Sequence, residues 1–294
     1  MDPIVRPIVR MEQITKAYRS VPAVKDVDFD LHEGEIHALL GENGAGKSTL
    51  TKVMAGVVEA TSGHMSYLGK PVQFATPHEA LQAGIAMVFQ ETSLVPSMTV
   101  AQNLYLGSEK FLNRLRGIYI SAQQFLQSLN FPVDPAAMVE TLGAAKRQMV
   151  EIARAVHHEA RVIIFDEPTA TLTPEEKRHF FALLRRLKAR GVSIVFISHA
   201  LEEALMISDR ITILRDGELV ATGPTADFDR EKIIAAMVGR TLSNELYSKR
   251  DVTHLRKPGR KVLSVQDISM GAMVRNTSFS VFEGQITGVF GLIG

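Results

Sequence analysis

The apolar residues in the first 240 positions of the chain form short runs typical of strands, separated by segments with helical spacing. Runs that are apolar almost throughout indicate strands buried on both faces, as in a parallel sheet covered by helices. The runs are EIHALL (35–40), IAMVFQ (85–90), VIIFDE (162–167) and SIVFISH (193–199). The pattern therefore predicts an α/β domain with a mainly parallel core sheet.

The segments between these runs complete the outline. A helix is predicted directly after Gly46, and residues 174–190 have the pattern of a charged amphipathic helix. Residues 99–130 and 136–158 are mostly helical in pattern and predict a helical insert. RITILRDGELVATG (210–223) is typical of a hairpin whose turn is Asp216-Gly217.

The beginning of the chain is repeated near its end. DFDLHEGEIHALLGENG (28–44) and SFSVFEGQITGVFGLIG (278–294) align without gaps, so that Gly34, Gly41 and Gly44 each match a glycine 250 positions later. A repeat of this length indicates two domains of one kind.

This repeat predicts three segments. Residues 1–240 form a whole domain, and residues 241–260 are polar, contain Pro258-Gly259 and indicate a linker. Residues 261–294 are expected to be the truncated start of a second domain, because the copy reaches Gly294 where its phosphate loop would begin. Two strands are too few to bury an apolar face of their own.

Composition and charge exclude several classes of protein. With 33 basic and 32 acidic residues the net charge is +1, so no overall field favours nucleic acid as a partner. The absence of cysteine excludes disulfides, thiolate metal sites and a cysteine nucleophile. The N-terminus has no signal-peptide pattern, and no apolar stretch reaches the roughly 18 residues of a spanning helix. A cytoplasmic location is expected.

The turn after the first apolar run carries a phosphate-loop motif. GENGAGKST (41–49) matches G-x-x-x-x-G-K-[ST] and lies between a predicted strand and a predicted helix, as this loop requires. Its glycines let successive N–H groups face a phosphate. Lys47 is predicted to reach the β- and γ-phosphates of a nucleotide, and the Ser48 hydroxyl to ligate Mg²⁺.

Two carboxylates end the third apolar run. Asp166 is a candidate ligand of Mg²⁺, and Glu167 is a candidate to orient or deprotonate a water molecule. An Asp-Glu pair alone is usually a solvated strand end. The phosphate loop elsewhere in the chain favours the functional interpretation.

These motifs together resemble the ATP-binding subunits of ABC transporters. In that family GENGAGKST (41–49) is the Walker A motif and VIIFDEPTA (162–170) is the Walker B motif. The resemblance covers residues 8–240 and restarts near residue 260. It implies a P-loop NTPase cassette with a mainly parallel core sheet, an antiparallel β-subdomain and a helical insert. It also implies ATP and Mg²⁺ as ligands and ATP hydrolysis as the activity.

The resemblance assigns roles to further residues. It implies that Tyr18 stacks on adenine, that Gln90 contacts Mg²⁺ and the attacking water, and that His199 is the switch histidine near the γ-phosphate. Taken alone, Tyr18 and His199 are more often structural residues. The implied catalytic residues are Glu167, His199 and Gln90, the implied metal ligands are Ser48, Gln90 and Asp166, and the implied ATP-binding residues are Tyr18, Gly41, Asn43, Gly44, Gly46, Lys47, Ser48 and Thr49.

Two segments narrow the resemblance and one departs from it. TPHEALQAGIAMVFQE (76–91) and QMVEIARA (148–155) are similar to the ATPases of ribose, galactose and xylose importers, whose chains carry two cassettes. The family signature Leu-Ser-Gly-Gly-Gln aligns with LGAAK (142–146), which lacks the serine hydroxyl. Because a hydrogen bond to a charged group contributes roughly 1.5–3 kcal/mol, slow hydrolysis with retained nucleotide binding is expected.

The expected function is the energy-coupling ATPase of an ABC importer for a monosaccharide, peripheral on the inner face of the cell membrane. Expected partners are permease subunits, a second ABC cassette and, indirectly, a periplasmic sugar-binding protein. No nucleic acid partner is expected. Leu94, Val95, Met98 and Leu104 are candidates for the permease contact or, equally, for core residues of the helical insert.

Two alternatives compete with this function. One is a nucleotide-binding remnant with little or no turnover. The other is a soluble ABC ATPase that acts on ribosomes or DNA, but the long charged inserts or basic arms typical of such proteins are not found in this sequence.

Overall fold

In the computed structural model, which describes residues 7–89, 93–106, 115–158, 160–239, 259–271 and 274–289, the chain divides into two units. The first comprises residues 1–241 and the second residues 242–294. The predicted linker over 241–260 lies mostly outside the described residues.

The first unit contains both sheets and helices. Its strands are β1 (Pro7–Tyr18), β2 (Val21–His32), β3 (Ile36–Leu40), β4 (Ser62–Tyr67), β5 (Lys70–Val72), β6 (Ile85–Val88), β7 (Val162–Asp166), β8 (Ser193–Ile197), β9 (Arg210–Arg215) and β10 (Glu218–Pro224). Its helices are α1 (Lys47–Met54), α2 (Pro77–Ala83), α3 (Val100–Leu104), α4 (Leu115–Ser128), α5 (Ala144–His157), α6 (Pro174–Ala189), α7 (Leu201–Ile207) and α8 (Arg230–Val238).

The core sheet has six strands in the order β10-β9-β3-β8-β7-β6. Strands β9, β3, β8, β7 and β6 are parallel to their neighbours, and β10 pairs with β9 in the antiparallel direction. The prediction of a mainly parallel core sheet is therefore confirmed. The turn of the β9–β10 hairpin is Asp216-Gly217, as predicted.

Both faces of the core sheet are covered, which explains the unbroken apolar runs. Every residue of β3, β7 and β8 is buried. Successive side chains point to opposite faces of a strand. Those facing the helical insert and α6 include Ile163, Phe165, Ile194 and Phe196. Those facing α1 and the second sheet include Leu39, Ile164, Val195 and Ile197.

The second sheet is antiparallel, with the order β2-β1-β4-β5, and it is the predicted antiparallel β-subdomain. Its inward residues alternate with exposed ones along each strand, as expected for a sheet with one face in water. Met11, Ile14, Val27 and Leu31 are buried in the same apolar cluster as Leu50 of α1.

The helical insert comprises α3, α4 and α5, so the insert is also confirmed. Residues 136–158 are mostly helical, as predicted: a 3-10 turn over Val139–Thr141 is followed by α5, which begins at Ala144. Gly143, at the N-cap of α5, has an extended backbone conformation that separates the two elements. No helix among the described residues is long and apolar enough to cross a membrane.

Two of the four candidate permease contacts are core residues. Leu94 is 6% exposed, Leu104 is 0% exposed, and both belong to the cluster beneath the helical insert. Val95 and Met98 are half-buried. The core interpretation is therefore correct for Leu94 and Leu104, whose side chains are inaccessible to a partner.

The second unit contains a hairpin of β11 (Lys261–Met270) and β12 (Val274–Phe282). This hairpin repeats a detail of β1–β2: in each, two residues with left-handed backbone conformation turn their N–H groups toward a side chain of the opposite strand. The donor and acceptor pairs are Gln13 with Asp28 and Asp26 with Thr15 in the first hairpin, and Asp267 with Ser278 and Asn276 with Ser269 in the second, at 2.8 to 3.0 Å.

A partly buried ionic cluster centred on Glu35 joins the two sheets of the first unit at the amino end of β3. Glu35 Oε1 accepts from the His32 N–H at 2.8 Å and lies 3.1 Å from His37 Nδ1 and 3.3 Å from Arg210 Nη1. Arg210 also donates to both carboxylate oxygens of Asp30 on β2. Burial alone would raise the pKa of Glu35, but its bonds to His37 and His32 and the charge of Arg210 outweigh burial and lower it.

Replacing Glu35 with glutamine is expected to lower the free energy of unfolding at pH 7 by about 2 kcal/mol, the size of a hydrogen bond to a charged group. Because the folded pKa of Glu35 lies below its ordinary value of 4.5, its charge stabilises the fold above that pH. This contribution is lost as the pH falls through the folded pKa. The difference between wild type and Glu35→Gln should thus shrink on acidification.

Urea unfolding at a series of pH values measures this difference. Glu33→Gln is the matched control, because Glu33 is two residues away and exposed. It should unfold like the wild type throughout. A Glu35→Gln deficit that stays constant down to pH 3 would contradict the assignment.

Candidate nucleotide site

Three neighbouring strands deliver the predicted site residues to one edge of the core sheet. Strand β8 lies between β3 and β7, and all three are parallel. Leu39 of β3 and Asp166 of β7 are both paired with Ile197 of β8, so the three strands end in register. The loops that follow them therefore start side by side, as at the carboxyl edge of other parallel sheets.

The phosphate loop follows β3 and depends on close backbone approaches. Gly41 and Gly46 have φ values of 154° and 100°, where side chains are strained. A Cβ atom at Gly41 would lie 2.4 Å from the carbonyl oxygen of Leu214, and one at Gly46 would lie 2.6 Å from that of Ala23. Helix α1 then begins at Lys47. Of the other predicted binding residues, Asn43 and Gly44 are exposed in the loop and Thr49 is half-buried on α1.

The β9–β10 turn contacts the phosphate loop through backbone hydrogen bonds. Gly217 N–H donates to the carbonyl of Ala45 at 3.2 Å, and Gly217 O accepts from the Lys25 N–H of β2 at 2.7 Å. The sequence identified this turn only as part of a hairpin. No sequence signal indicated that the turn touches the loop, because the contact joins residues about 170 positions apart.

Lys47 is 5% exposed and folds back over its own loop. Its Nζ donates to the carbonyl oxygens of Gly41 at 2.8 Å and Glu42 at 3.0 Å. Burial lowers the pKa of Lys47, and the carboxylates of Glu167 and Asp166 oppose that effect. The ammonium thus lies beside the loop whose N–H groups are predicted to bind phosphate.

Ser48 and Asp166, the two described metal-ligand candidates, are brought together. The Ser48 hydroxyl donates to Asp166 Oδ1 at 3.4 Å. Burial raises the pKa of Asp166, which the bond from Ser48 partly offsets and the neighbouring Glu167 reinforces. A hydroxyl and a carboxylate are oxygen ligands of the kind that Mg²⁺ prefers, so the pair fits that ion. Gln90, the third candidate ligand, lies outside the described residues.

Glu167 and His199 meet across the ends of β7 and β8. Glu167 Oε1 lies 2.5 Å from His199 Nε2. Glu167 has a φ of 52°, unusual for a residue with a side chain, and its N–H donates to the carbonyl of Ile197 on β8 at 3.1 Å. This conformation turns the carboxylate from its own strand toward the histidine of the next one.

Tyr18 lies at the end of β1 and is 46% exposed. The Lys16 ammonium stands 5.3 Å from the centre of its ring. A cation at this distance interacts with the face of the aromatic ring.

Thr173 and Gly143 are the N-cap residues of α6 and α5. The Thr173 hydroxyl accepts from the Glu176 N–H, while the Glu176 carboxylate accepts from the Thr173 N–H. Threonine is a good N-cap residue. In the altered signature, Gly143 is the N-cap of α5 without a side-chain hydrogen bond.

The ABC transporter family model matches residues 24–170, which include the phosphate loop and the Asp166-Glu167 pair. The ribose import ATP-binding protein RbsA 1 of Rubrobacter xylanophilus is 44% identical over 292 residues, 98% of this chain. The chain belongs to the ABC transporter family. It spans 57% of the length of that relative.

Other comparisons agree on this cassette. The putative ribose/galactose/methyl galactoside import ATP-binding protein 1 of Rhizobium meliloti is 43% identical over 287 residues, 98% of this chain and 56% of its own length. A nucleotide-free ATP-binding cassette from an ABC transporter superposes with a TM-score of 0.69 at 25% identity, covering 82% of this chain and 99% of its own. A cassette in its ADP conformation gives 0.70 at 25% identity, covering 80% and 100%.

Gly46→Ala is expected to weaken both the cassette and nucleotide binding. The new methyl group would meet the Ala23 carbonyl and hold a left-handed conformation that costs about 1–2 kcal/mol before any clash. We expect a loss of at least about 2 kcal/mol in the free energy of unfolding. We also expect weaker binding of a fluorescent ATP analogue.

Gly69→Ala is the matched control. Gly69 has a φ of 73° and open space where its Cβ would be. It should lose only the conformational term, about 1 kcal/mol, and bind the analogue normally. Equal losses in the two variants would mean that the Ala23 contact does not shape the loop.

Proposed function

We propose that this chain binds Mg-ATP in its phosphate loop and hydrolyses it, as the energy-coupling subunit of a monosaccharide importer. The observation that carries the proposal is the convergence of Lys47, Ser48, Asp166 and the Glu167–His199 pair at one edge of the core sheet. Each group has a role in phosphoryl transfer: anion binding, metal binding and orientation of water.

Each residue of the site has a distinct proposed role in the reaction. Lys47 exchanges its two carbonyl partners for phosphate oxygens, and the N–H groups from Gly41 to Thr49 bind the same phosphates. Ser48 and Asp166, with Gln90, hold Mg²⁺, which neutralises charge on the phosphates when bound. Glu167 orients the attacking water and accepts its proton, and His199 holds the Glu167 carboxylate at 2.5 Å. Tyr18 stacks on adenine.

The monosaccharide is proposed from the relatives. Two of them are named as ATP-binding proteins for the import of ribose, or of ribose, galactose and methyl galactoside. Identities of 43% and 44% over 98% of this chain support the same class of cargo. Choice among pentoses and hexoses is made by subunits that meet the sugar.

The second unit is proposed to be the start of a second cassette, joined to residues 1–240 by a linker over 241–260. The left-handed residues and side-chain bonds that β11–β12 share with β1–β2 support this. Asp28 and Ser278 accept equivalent bonds and are 250 positions apart, the offset of the sequence repeat. A second ABC cassette is also a proposed partner in nucleotide binding.

A permease in the membrane is proposed to dock beside Phe89, with the cassette peripheral on the inner face. A cavity of about 260 Å³ between α2, β6 and α5 is lined by Leu81, Met87, Phe89 and Leu106. Glu151 also lines it, and Glu151 Oε2 is buried without a hydrogen-bond partner among the described residues. A short permease segment with an apolar side chain and a hydrogen-bond donor fits this chemistry.

Glu167→Gln is expected to abolish hydrolysis while Mg-ATP binding persists. Removal of a general base typically lowers the rate by about 100-fold or more, whereas the phosphate loop is unchanged. Phosphate release and analogue binding, measured on the same preparations, test both halves. Lys47→Ala is the complementary variant and should lose binding.

The outcomes separate the proposal from its alternative. Phosphate release that depends on Glu167 supports an ATPase. Binding without release in the wild type, at all ATP concentrations, would identify a nucleotide-binding module with no turnover. Release that survives Glu167→Gln would contradict the assigned site.

Leu106→Asp is expected to reduce recruitment to membranes that contain the cognate permease, because it places a charge in the proposed dock. Leu106 is 38% exposed, so the fold should tolerate the change. Ile120→Asp on α4, where the side chain is 63% exposed, is the matched control. Co-sedimentation with such membranes should fall for Leu106→Asp alone; equal recruitment of both would contradict the dock.

A further inference from the structure

The Glu167–His199 pair joins two separate loops, and its geometry depends on both. Glu167 follows β7, and His199 follows β8. His199 has a side chain that is 44% exposed, so little packing fixes its ring. Glu167 is held at a φ of 52°, a conformation that costs energy and persists only where the surroundings enforce it.

Glu203, on the first turn of α7, contacts both loops. Its Oε2 accepts from the Thr169 hydroxyl at 2.6 Å and from the Ser198 hydroxyl at 3.2 Å. Thr169 is two residues after Glu167, and Ser198 directly precedes His199. One carboxylate oxygen therefore connects the two backbones that carry the pair.

The other oxygen of Glu203 extends the connection to α6. Lys177 Nζ donates to Glu203 Oε1 at 2.8 Å. Lys177 is on the first turn of α6, whose N-cap, Thr173, ends the loop that starts at Glu167. The loop from Glu167 to Thr173 is thus held at both ends by contacts that lead to Glu203.

A carboxylate is required at this position by the donors around it. Three donors converge on two oxygens, and an ionised carboxylate accepts at both without offering a proton. Thr169 and Ser198 are each only 4% exposed, so a hydroxyl that lost this acceptor would be left buried without compensation. Glu203 lies in the first turn of α7, where the helix dipole stabilises negative charge.

We propose that Glu203 is a positioning residue for the hydrolysis of ATP: it holds the Thr169 and Ser198 loops together so that Glu167 and His199 stay paired. This inference rests on the proposed function of the Glu167 site. Among the described residues, the hydrogen-bond partners of the Glu203 carboxylate are Thr169, Ser198 and Lys177, none of which is a proposed reacting group. Its loss should lower the turnover rate and leave nucleotide affinity unchanged, because Lys47 and Ser48 bind the phosphates from a different loop.

The sharpest variants are at Thr169. Thr169→Val keeps the shape and removes the hydroxyl, whereas Thr169→Ser retains it. We expect Thr169→Val to lower kcat about tenfold, the equivalent of losing one hydrogen bond of about 1.4 kcal/mol, with Kd for an ATP analogue within about twofold of wild type. Thr169→Ser should restore kcat. Glu203→Ala should lower kcat by at least as much.

Glu202→Gln is the matched control for Glu203. Glu202 is the preceding residue on α7 and is paired only with Arg230 at 3.6 Å among the contacts of the described residues, both side chains being about 70% exposed. It should leave kcat unchanged. The double variant Thr169→Val with Glu203→Ala should have a kcat only slightly below that of Glu203→Ala alone, because both substitutions remove the same connection.

A readout independent of turnover distinguishes failure of this inference from failure of the proposed function. The imidazole resonance of His199, followed by NMR in the full chain, should shift in Thr169→Val and Glu203→Ala toward its position in Glu167→Ala, which removes the carboxylate that pairs with His199. If the wild type binds ATP without hydrolysis, the proposed activity fails while this shift still tests Glu203.

Two results would contradict the proposal. A His199 resonance that is the same in Thr169→Val, Thr169→Ser and wild type would overturn the proposal. So would a loss of ATP affinity that accounts for the whole decrease in activity. If Glu203→Ala does not fold, the comparison of Thr169→Val with Thr169→Ser is sufficient to test the proposal.

Discussion

The parallel register of β3, β8 and β7 is the constraint on which the rest of the structure depends. Leu39, Ile197 and Asp166 form one row across these strands. Because all three strands are buried on both faces, a shift of one residue in any of them would exchange the apolar sets of its two faces. The core therefore fixes where each strand ends. The strand ends in turn fix where the phosphate loop starts and where Glu167 and His199 lie.

Register brings the loops to one edge but does not fix their conformation. The phosphate loop is shaped by backbone contacts with Ala23 and Leu214, which leave no room for a Cβ atom at Gly46 or Gly41. The loops after β7 and β8 are held by hydroxyl and amine donors that converge on Glu203. The sheet thus fixes where the loops of the site start, and contacts with residues outside the sheet edge fix their conformation.

The sequence predicted what depends on local pattern and on motif chemistry. Uninterrupted apolar runs marked the core strands, and the spacing of glycine, lysine and serine marked the loop to which Lys47 belongs. Contacts between segments that are distant along the chain could not be predicted from the sequence. The support of Ala45 by Gly217 and the role of Glu203 have no local signature. Leu94 and Leu104 were equally suited to surface or core, and only the packing of the helical insert shows that both are buried. The pattern predicted mostly helix over 136–158 but did not indicate the 3-10 turn over Val139–Thr141 that precedes Gly143.

The central claim is that the loop around Lys47 binds the phosphates of ATP. A crystal structure of the Glu167→Gln chain with Mg-ATP tests it most directly. We expect Lys47 Nζ to leave the carbonyl oxygens of Gly41 and Glu42, now at 2.8 and 3.0 Å, for phosphate oxygens, with Ser48 and Asp166 around the metal ion. Nucleotide bound elsewhere, or a Lys47 that keeps both carbonyl partners beside bound ATP, would contradict it.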